Sequence, residues 1–152
     1  MTGVETTLRP ATREDAAYIL RLEDAGMRSY AKKLWGAWKP SATPETLALA
    51  GHEVIRAAGR DAGCIACSWH PDHLRIHKLY VAPACRGQGI GASALACKLR
   101  DAAAKRLPVR LTVLATNPEA ARFYAREGLC EIARDAERIM FEYRPAPHPG
   151  LE

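Results

Sequence analysis

Three glycines lie within five residues, between an apolar strand-like run and a helical pattern. They are Gly87, Gly89 and Gly91. Glycine inside a regular element costs about 0.5 to 1 kcal/mol relative to alanine, so this density is unfavourable unless the missing side chains serve a purpose. A strand, a glycine-rich turn and a helix in succession direct unpaired backbone N–H groups at one point, where the positive end of the helix dipole reinforces them. The sequence therefore predicts an anion site, suited to phosphate, at this turn.

Two familiar phosphate-binding turns do not match the spacing of these glycines. The loop of nucleotide triphosphatases needs a Lys followed by Ser or Thr after the second glycine, whereas Ile90 and Gly91 follow Gly89 here. A dinucleotide-binding turn needs a GxGxxG spacing and an acidic residue about 20 positions later, whereas this turn reads GxGxG and the region near Leu111 is apolar. The local charge still favours an anion, because no Asp or Glu occurs in residues 73–100.

The length and composition of the chain predict one globular domain over residues 1–144, followed by a flexible tail over residues 145–152. Hydrophobic residues make up 48% of the 152 residues and charged residues 26%, which is ordinary for a folded domain. The N-terminus carries Glu5 and Arg9 and lacks an apolar core, so neither a signal peptide nor a transit peptide is expected. No run of about eighteen apolar residues is present, so we expect no membrane span and a cytoplasmic protein.

The five cysteines predict free thiols rather than a disulfide framework, because their number is odd and the chain resembles an intracellular one. Cys64 and Cys67 have the spacing of half a zinc site. However, they fall in a strand pattern that points them to opposite faces, and no second ligand pair follows at a suitable spacing. The sequence therefore predicts no metal site.

The spacing of the apolar residues predicts a mixed α/β fold with a central sheet covered by helices. A first strand precedes a helix that starts with a capping box at Thr12 and Asp15, and a second helix follows a break at Gly26. The segments EVIRAAG and CIACSW predict a hairpin, and HLRIHKLYVAP predicts the strand before the glycine turn. Beyond the next helix, VRLTVLAT, LCEIA and RIMFEY predict strands, and PEAARFYAREG predicts a helix between the first two of them.

The stretch RGQGIG, residues 86–91, resembles the pyrophosphate-binding signature of the GNAT superfamily of acetyl-CoA-dependent N-acetyltransferases. The preceding LYVAP and a second motif, NPEAARFYAREGL over residues 117–129, match the same family in the same order. Together with the N-terminal strand and helices, the resemblance spans most of residues 6–144. It implies a mostly antiparallel central sheet of roughly six to seven strands, flanked by about four helices and splayed at its central strands.

The resemblance also implies a binding site for acetyl-CoA. Six residues would hold the pyrophosphate, largely through backbone N–H groups: Arg86, Gly87, Gln88, Gly89, Ile90 and Gly91. The strand residues Leu79, Tyr80 and Val81 would lie along the pantetheine arm, with main-chain hydrogen bonds offered by the first and third of them. Asn117 would reach the same arm, although an N-cap before Pro118 explains it equally well.

Acetyl transfer from a thioester to an amine requires a neutral amine and a stabilised thiolate. The resemblance places Tyr124 near the coenzyme sulfur, where its hydroxyl would donate to the departing thiolate, while packing on the sheet is the alternative role. His77 is the predicted base, because strand alternation puts it on the face of Leu79 and Val81 and its usual pKa is about 6.5. Glu53 and ordered water are the alternatives to His77.

The first two helices of this fold wall the acceptor pocket, so the resemblance assigns specificity to residues 26–38. The candidates there are aromatic or cationic: Arg28, Tyr30, Lys32, Lys33, Trp35 and Trp38. The leading hypothesis is an N-acetyltransferase in which a primary amine of a small molecule, amino acid or peptide attacks directly in a ternary complex. A noncatalytic acyl-CoA-binding regulatory domain is the alternative. A nucleic-acid partner is not expected, because the basic residues form no DNA- or RNA-binding motif, and homodimerisation is implied by the resemblance alone.

Overall fold

The computed structural model describes residues 5–146, which form one seven-stranded sheet and three α-helices. The strands are β1 (Thr6–Pro10), β2 (His52–Ala57), β3 (Arg60–His70), β4 (His73–Val81), β5 (Val109–Leu114), β6 (Cys130–Arg134) and β7 (Arg138–Tyr143). The helices are α1 (Ala16–Trp35), α2 (Ile90–Ala104) and α3 (Pro118–Arg126). The sheet order is β1-β2-β3-β4-β5-β7-β6, and every neighbouring pair is antiparallel except β4 with β5. The predicted mixed and mostly antiparallel sheet is confirmed.

Most of the predicted tail lies outside the described residues, because the description ends at residue 146. Two short 3-10 turns complete the elements: Arg13–Asp15 before α1 and Pro83–Cys85 before the glycine turn. The predicted capping box is present, since the backbone N–H of Thr12 donates to Asp15 Oδ2 at 2.8 Å. Within residues 5–146, no helix has both the length and the hydropathy that crossing a membrane requires.

The sheet separates two apolar clusters, one under each layer of helices. The side covered by α1 holds Ile19 and Cys64, and we call it the α1 face. The side covered by α2 and α3 holds Ile65 and Leu95, and we call it the α2 face. These four side chains are fully buried, and burial of a side chain the size of Ile65 or Leu95 contributes about 1.5 to 3 kcal/mol. Cys64 and Ile65 occupy opposite faces because successive strand residues alternate.

The two helices predicted on either side of Gly26 are one continuous helix, so the structure has three α-helices rather than about four. Gly26 does not end α1, because its missing side chain makes room for Tyr80 of β4. A Cβ at Gly26 would lie 2.6 Å from Tyr80 Cδ1. The helix ends instead at Gly36, whose φ of 79° gives a left-handed C-cap.

Replacing Gly26 by alanine is expected to lower the free energy of unfolding by up to about 2 kcal/mol. Overpacking against the Tyr80 ring costs about 1 to 3 kcal/mol, which exceeds the gain of about 1 kcal/mol from the higher helix propensity of alanine. Urea denaturation measures the difference. Ser29→Ala is the control, since exposed Ser29 lies on the same helix and its replacement raises propensity without a clash. A Gly26→Ala protein as stable as the control would contradict this packing.

The central strands diverge, as the resemblance implied. β4 and β5 pair at only two positions, Leu74 with Val109 and Arg75 with Arg110. Beyond these pairs β4 continues alongside β3 and β5 continues alongside β7, so the sheet splits between them. The second half of β4 therefore presents an edge that β5 does not cover.

A bulge in β4 lies at the start of this split. Ala66 of β3 pairs with Lys78 and Cys67 pairs with Ile76, which leaves His77 as an extra residue in β4. The bulge reverses the alternation of side chains along the strand. As a result Ile76 before the bulge and Leu79 after it both contact the cluster on the α2 face, although they are three residues apart.

Candidate active site

A cleft of about 900 Å³ opens where β4 and β5 diverge. It is lined by α1, β4, the glycine turn, the start of α2, β5 and α3. Eleven of the twelve residues that the sequence assigned to the site line this cleft: His77, Leu79, Tyr80, Val81, Arg86, Gly87, Gly89, Ile90, Gly91, Asn117 and Tyr124. The twelfth, Gln88, is exposed in the same turn but does not line the cleft.

The glycine turn beside the cleft has a backbone conformation that residues other than glycine adopt only with strain. Gly87 has a φ of 80° and Gly89 a φ of 78°, both in the left-handed region. No side chain caps α2, and Ser93 is the first residue of this helix whose N–H donates to the turn, at 3.0 Å from Gly89 O. The amides at the start of a helix have no intrahelical partner. They are therefore available to an anion in the cleft.

Gly91 keeps the cleft open next to this turn. A Cβ there would lie 3.4 Å from Val81 Cγ2 and 3.7 Å from Phe123 Cζ, so a larger side chain would enter the space between α2, β4 and α3. The first turn of α2 thus approaches β4 closely enough for a ligand to contact both at once.

The uncovered edge of β4 offers main-chain groups to the cleft. The N–H of Ala82 donates to Ala62 O of the β3 side at 2.8 Å. Because hydrogen-bonding direction alternates along an antiparallel strand, the peptide groups of Leu79 and Val81 point away from β3. Consistent with this direction, Arg86 Nε reaches Val81 O at 3.2 Å. Leu79 and Val81 therefore have the geometry that pairing with an extended ligand requires.

Tyr124 lies at the inner wall of the cleft on α3. Its side chain is 8% exposed and its ring packs edge-on against Phe123, with centroids 5.0 Å apart. Burial raises the pKa of Tyr124 well above its usual value, so the phenol stays protonated across the neutral range. Tyr124 thus combines packing on the sheet with a place on the wall of the cleft.

Asn117 serves as the N-cap of α3. Its Oδ1 accepts a hydrogen bond from the N–H of Ala120 at 3.1 Å, and Pro118 occupies the first helical position. Asn117 also lines the cleft, so the N-cap places this residue at the site.

The face predicted for His77 is wrong. Trp69 of β3 packs on the α2 face, where Lys105 at the end of α2 lies 4.1 Å from its ring centroid. Its neighbour Ser68 therefore points to the α1 face, and Ser68 Oγ lies 2.7 Å from His77 Nε2. His77 thus lies on the α1 face, opposite Leu79, because the bulge interrupts the alternation assumed from the sequence.

The environment of His77 lowers its pKa below the usual value. Burial is the largest cause, followed by the positive charge of Arg75 and the effects of His70 and Lys78. The imidazole is therefore neutral at pH 7 and has a nitrogen that can accept a proton. His77 still lines the cleft, from the side of α1.

Glu53, the alternative base, does not line the cleft. Its carboxylate forms an ion pair with Lys98 of α2, and Lys98 Nζ lies 3.9 Å from Asp101. This ion pair holds the Glu53 carboxylate against α2, away from the split between β4 and β5.

The C-terminal half of α1 crosses the cleft and contacts elements on its far side. Tyr30 Oη donates to Glu119 Oε1 at 3.2 Å, and Thr116 Oγ1 donates to Tyr30 O at 2.7 Å. Trp35 Nε1 donates to Glu137 Oε2 at 3.1 Å, between β6 and β7. These contacts make α1 one wall of the cleft, where the resemblance implied two helices.

Only some of the predicted acceptor residues lie on that wall. Tyr30 and Trp35 line the cleft, whereas Arg28, Lys32, Lys33 and Trp38 do not. Arg28 and Trp38 instead both bind Asp24, at 2.6 and 2.9 Å. The sequence missed Glu119 and Arg138, which line the cleft. Glu119 lies within the second motif and could have been singled out there. Arg138 Cζ lies 5.3 Å from the Trp35 ring centroid, a contact that nothing in the sequence indicates.

The two cysteines with zinc-like spacing point to opposite faces, as predicted. Cys64 belongs to the cluster on the α1 face and Cys67 packs against the cluster on the α2 face. Burial raises the pKa of each thiol to about 12. Within residues 5–146, no group of three or more His, Cys, Asp or Glu side chains has the arrangement of a metal site.

Comparison with known proteins identifies the family. The family model described as an acetyltransferase (GNAT) domain matches residues 48–128. The structure of Ard1 from Thermoplasma volcanium is similar, with a TM-score of 0.70 at 19% identity, over 95% of this chain and 100% of that one. The PaiA N-acetyltransferase from Thermoplasma acidophilum in complex with coenzyme A is similar as well, with a TM-score of 0.70 at 18% identity, over 92% and 99%.

A putative phosphinothricin N-acetyltransferase has a TM-score of 0.69 at 18% identity, over 94% of this chain and 100% of that one. No curated protein sequence matches the chain significantly. At these identities the structural likeness shows the fold, whereas the family model covers more than half of the chain. The chain therefore belongs to the GNAT acetyltransferase family, whose members use acetyl-CoA.

Proposed function

We propose that this protein is an N-acetyltransferase that moves an acetyl group from acetyl-CoA to a primary amine of a small molecule, amino acid or peptide, by direct attack in a ternary complex. The observation that carries the proposal is that one cleft joins the glycine turn, the open edge of β4 and Tyr124. Each of the three suits a different part of the donor: its anionic end, its extended arm and its sulfur.

The residues of the cleft fit coenzyme A. The amides from Gly87 to Gly91 would hold the pyrophosphate, and the cationic side chains of Arg86 and Arg126 line the same cleft. Leu79 and Val81 would pair with the pantetheine arm, which extends the sheet where β5 leaves β4. When bound there, acetyl-CoA supplies an acetyl thioester as the acyl donor.

Tyr124 is suited to assist the leaving group. Its raised pKa keeps the hydroxyl protonated, so it can donate a hydrogen bond to the sulfur as negative charge develops there. The ring is fixed by Phe123 and Phe141, whose centroids lie 5.0 and 6.2 Å away, so the position of the hydroxyl is set in advance.

His77 is suited to deprotonate the acceptor. An alkylamine with a pKa of about 10.4 is neutral in only about one molecule per thousand at neutral pH, so proton removal is part of the reaction. His77 is held neutral by its surroundings and lines the cleft from the α1 side, and Tyr30 and Trp35 of the acceptor wall line the same cleft. Donor and acceptor would thus enter from opposite faces of the split sheet.

Thiol release in the presence of acetyl-CoA and a panel of primary amines tests this function. We expect more thiol release with an amine than without one. The reaction without amine is the baseline, and subtracting it removes the signal from the exposed thiol of Cys130. A thermal shift with coenzyme A is measured in parallel, because a ligand of the native state raises Tm by mass action. A thermal shift without thiol release would favour the noncatalytic regulatory domain. The absence of both the thermal shift and the thiol release would contradict both functions.

A further inference from the structure

Three polar side chains form a continuous hydrogen-bonded chain that leaves the cleft along β3. Ser68 Oγ lies 2.7 Å from His77 Nε2 and 2.9 Å from His70 Nε2. His77 lines the cleft, whereas His70 is exposed at the end of β3, where the turn to β4 begins. His77 is partly accessible as well, so the hydrogen-bonded chain joins an imidazole that lines the cleft to one at the outer turn between β3 and β4.

The chemistry of a hydroxyl gives this chain a direction. Ser68 has one O–H proton, so it donates to one of the two imidazoles and accepts from the other. When both imidazoles are neutral, one therefore carries its proton on Nε2 and the other does not. Since Nε2 of His77 is engaged by Ser68, Nδ1 is the nitrogen of His77 that remains for an acceptor amine.

We propose that His77, Ser68 and His70 form a proton relay that carries the proton lost by the acceptor amine out of the cleft. The relay rests on the proposed acetyl transfer. The amine N–H bond breaks as an N–H bond forms at Nδ1 of His77, while the proton on Nε2 of His77 passes to Ser68 Oγ. Ser68 passes its own proton to Nε2 of His70, and His70 then releases a proton from Nδ1 to water.

The charges along the chain favour movement in this direction. Arg75 and Lys78 lie near His77 and disfavour a positive charge resting there, although Glu23 of α1 lies 3.6 Å from Lys78 and offsets part of its effect. At the outer end the His73 ring stacks on His70, with centroids 4.6 Å apart, and His73 Nδ1 contacts Asp72 Oδ1 at 2.8 Å.

Asp72 therefore places a negative charge near the outer end of the chain, although Arg110 lies 3.9 Å from its second oxygen. A positive charge at the His77 end lies beside two cations, whereas one at the His70 end lies near a carboxylate. Ser68 is in direct contact with both imidazoles, which makes it the residue whose removal interrupts the chain with the smallest change.

Kinetics of a matched set of variants test the relay. Ser68→Ala removes the hydroxyl, and His70→Gln keeps a side chain able to form a hydrogen bond that cannot carry a proton. We expect each of these two variants to lower kcat/KM for the amine by at least about tenfold with an unchanged KM for acetyl-CoA. Ser68→Thr keeps a hydroxyl, so we expect this variant to retain the wild-type rate. His73→Gln is the control, since His73 stacks on His70 without contacting Ser68. Rates of Ser68→Ala and His70→Gln equal to those of the control would overturn the relay.

A second measurement needs no turnover. Nitrogen chemical shifts of ¹⁵N-histidine in the free protein report the tautomers of His70 and His77. We expect complementary tautomers at Nε2 and the loss of this pattern in Ser68→Ala. Identical tautomers, or tautomers that Ser68→Ala leaves unchanged, would overturn the relay whatever the activity. Absence of thiol release from the wild-type protein would instead contradict the proposed function, so the two failures are distinguishable.

Discussion

Replacing Tyr124 by phenylalanine is expected to lower kcat for acetyl transfer by at least about tenfold while leaving coenzyme A affinity nearly unchanged. The phenylalanine ring keeps the contacts with Phe123 and Phe141, so the packing of α3 on the sheet is preserved. Only the hydroxyl is lost, and with it the donor that would stabilise charge on the departing sulfur. Steady-state kinetics, together with calorimetric titration of coenzyme A, separates the two effects.

Tyr143→Phe is the matched control for this variant. Tyr143 ends β7 and does not line the cleft, so the same chemical change there is expected to leave turnover unaltered. Should Tyr124→Phe turn over as fast as the Tyr143→Phe control, Tyr124 would have no part in the chemistry, and its place in the cleft would reflect packing alone.

Replacing Gly87 by valine is expected to weaken coenzyme A binding by at least about tenfold. Gly87 has a φ of 80°, a conformation that a β-branched residue adopts only with strain. A penalty of about 1 to 2 kcal/mol shifts the turn away from the conformation that presents its amides, and about 1.4 kcal/mol corresponds to a factor of ten in affinity. Calorimetric titration with coenzyme A measures the change.

Gly59→Val separates backbone strain from loss of the binding site. Gly59 has a φ of 76° in the turn between β2 and β3, and a Cβ at either Gly59 or Gly87 would meet no atom within 4 Å. The two variants therefore carry similar intrinsic strain, and we expect similar losses of Tm. Only Gly87 lines the cleft. Equal coenzyme A affinity in the two variants would show that the turn does not hold the cofactor.

The sequence was most informative where function depends on a short continuous segment. The glycine turn, the strand before it and the N-cap of α3 each follow from residues a few positions apart, because backbone conformation and helix capping are local properties. Gly87 and Gly89 adopt the left-handed conformations that only glycine adopts readily, and Asn117 caps α3 through its own side chain. The family resemblance added the assignment of Tyr124, whose role in catalysis stays a prediction.

Tertiary structure decided which side chains meet across the sheet. Gly26 reads as a helix break in the sequence, yet it lies within α1 because Tyr80 of β4 occupies the space of its missing side chain. The bulge at His77 arises from the register between β3 and β4, and it moves this imidazole to the face opposite that expected from strict alternation.

The sequence by itself thus determined the order of the elements and the glycine turn before α2, and the family resemblance supplied the split of β4 from β5 and most residues of the cleft. The hydrogen-bond partners of His77 and the contact of Tyr30 with Glu119 were decided only by the folded chain. The last pair lies 89 residues apart. Such contacts depend on strand register and helix placement, and a shift of one residue in register moves every side chain of a strand to the other face, which no local pattern records.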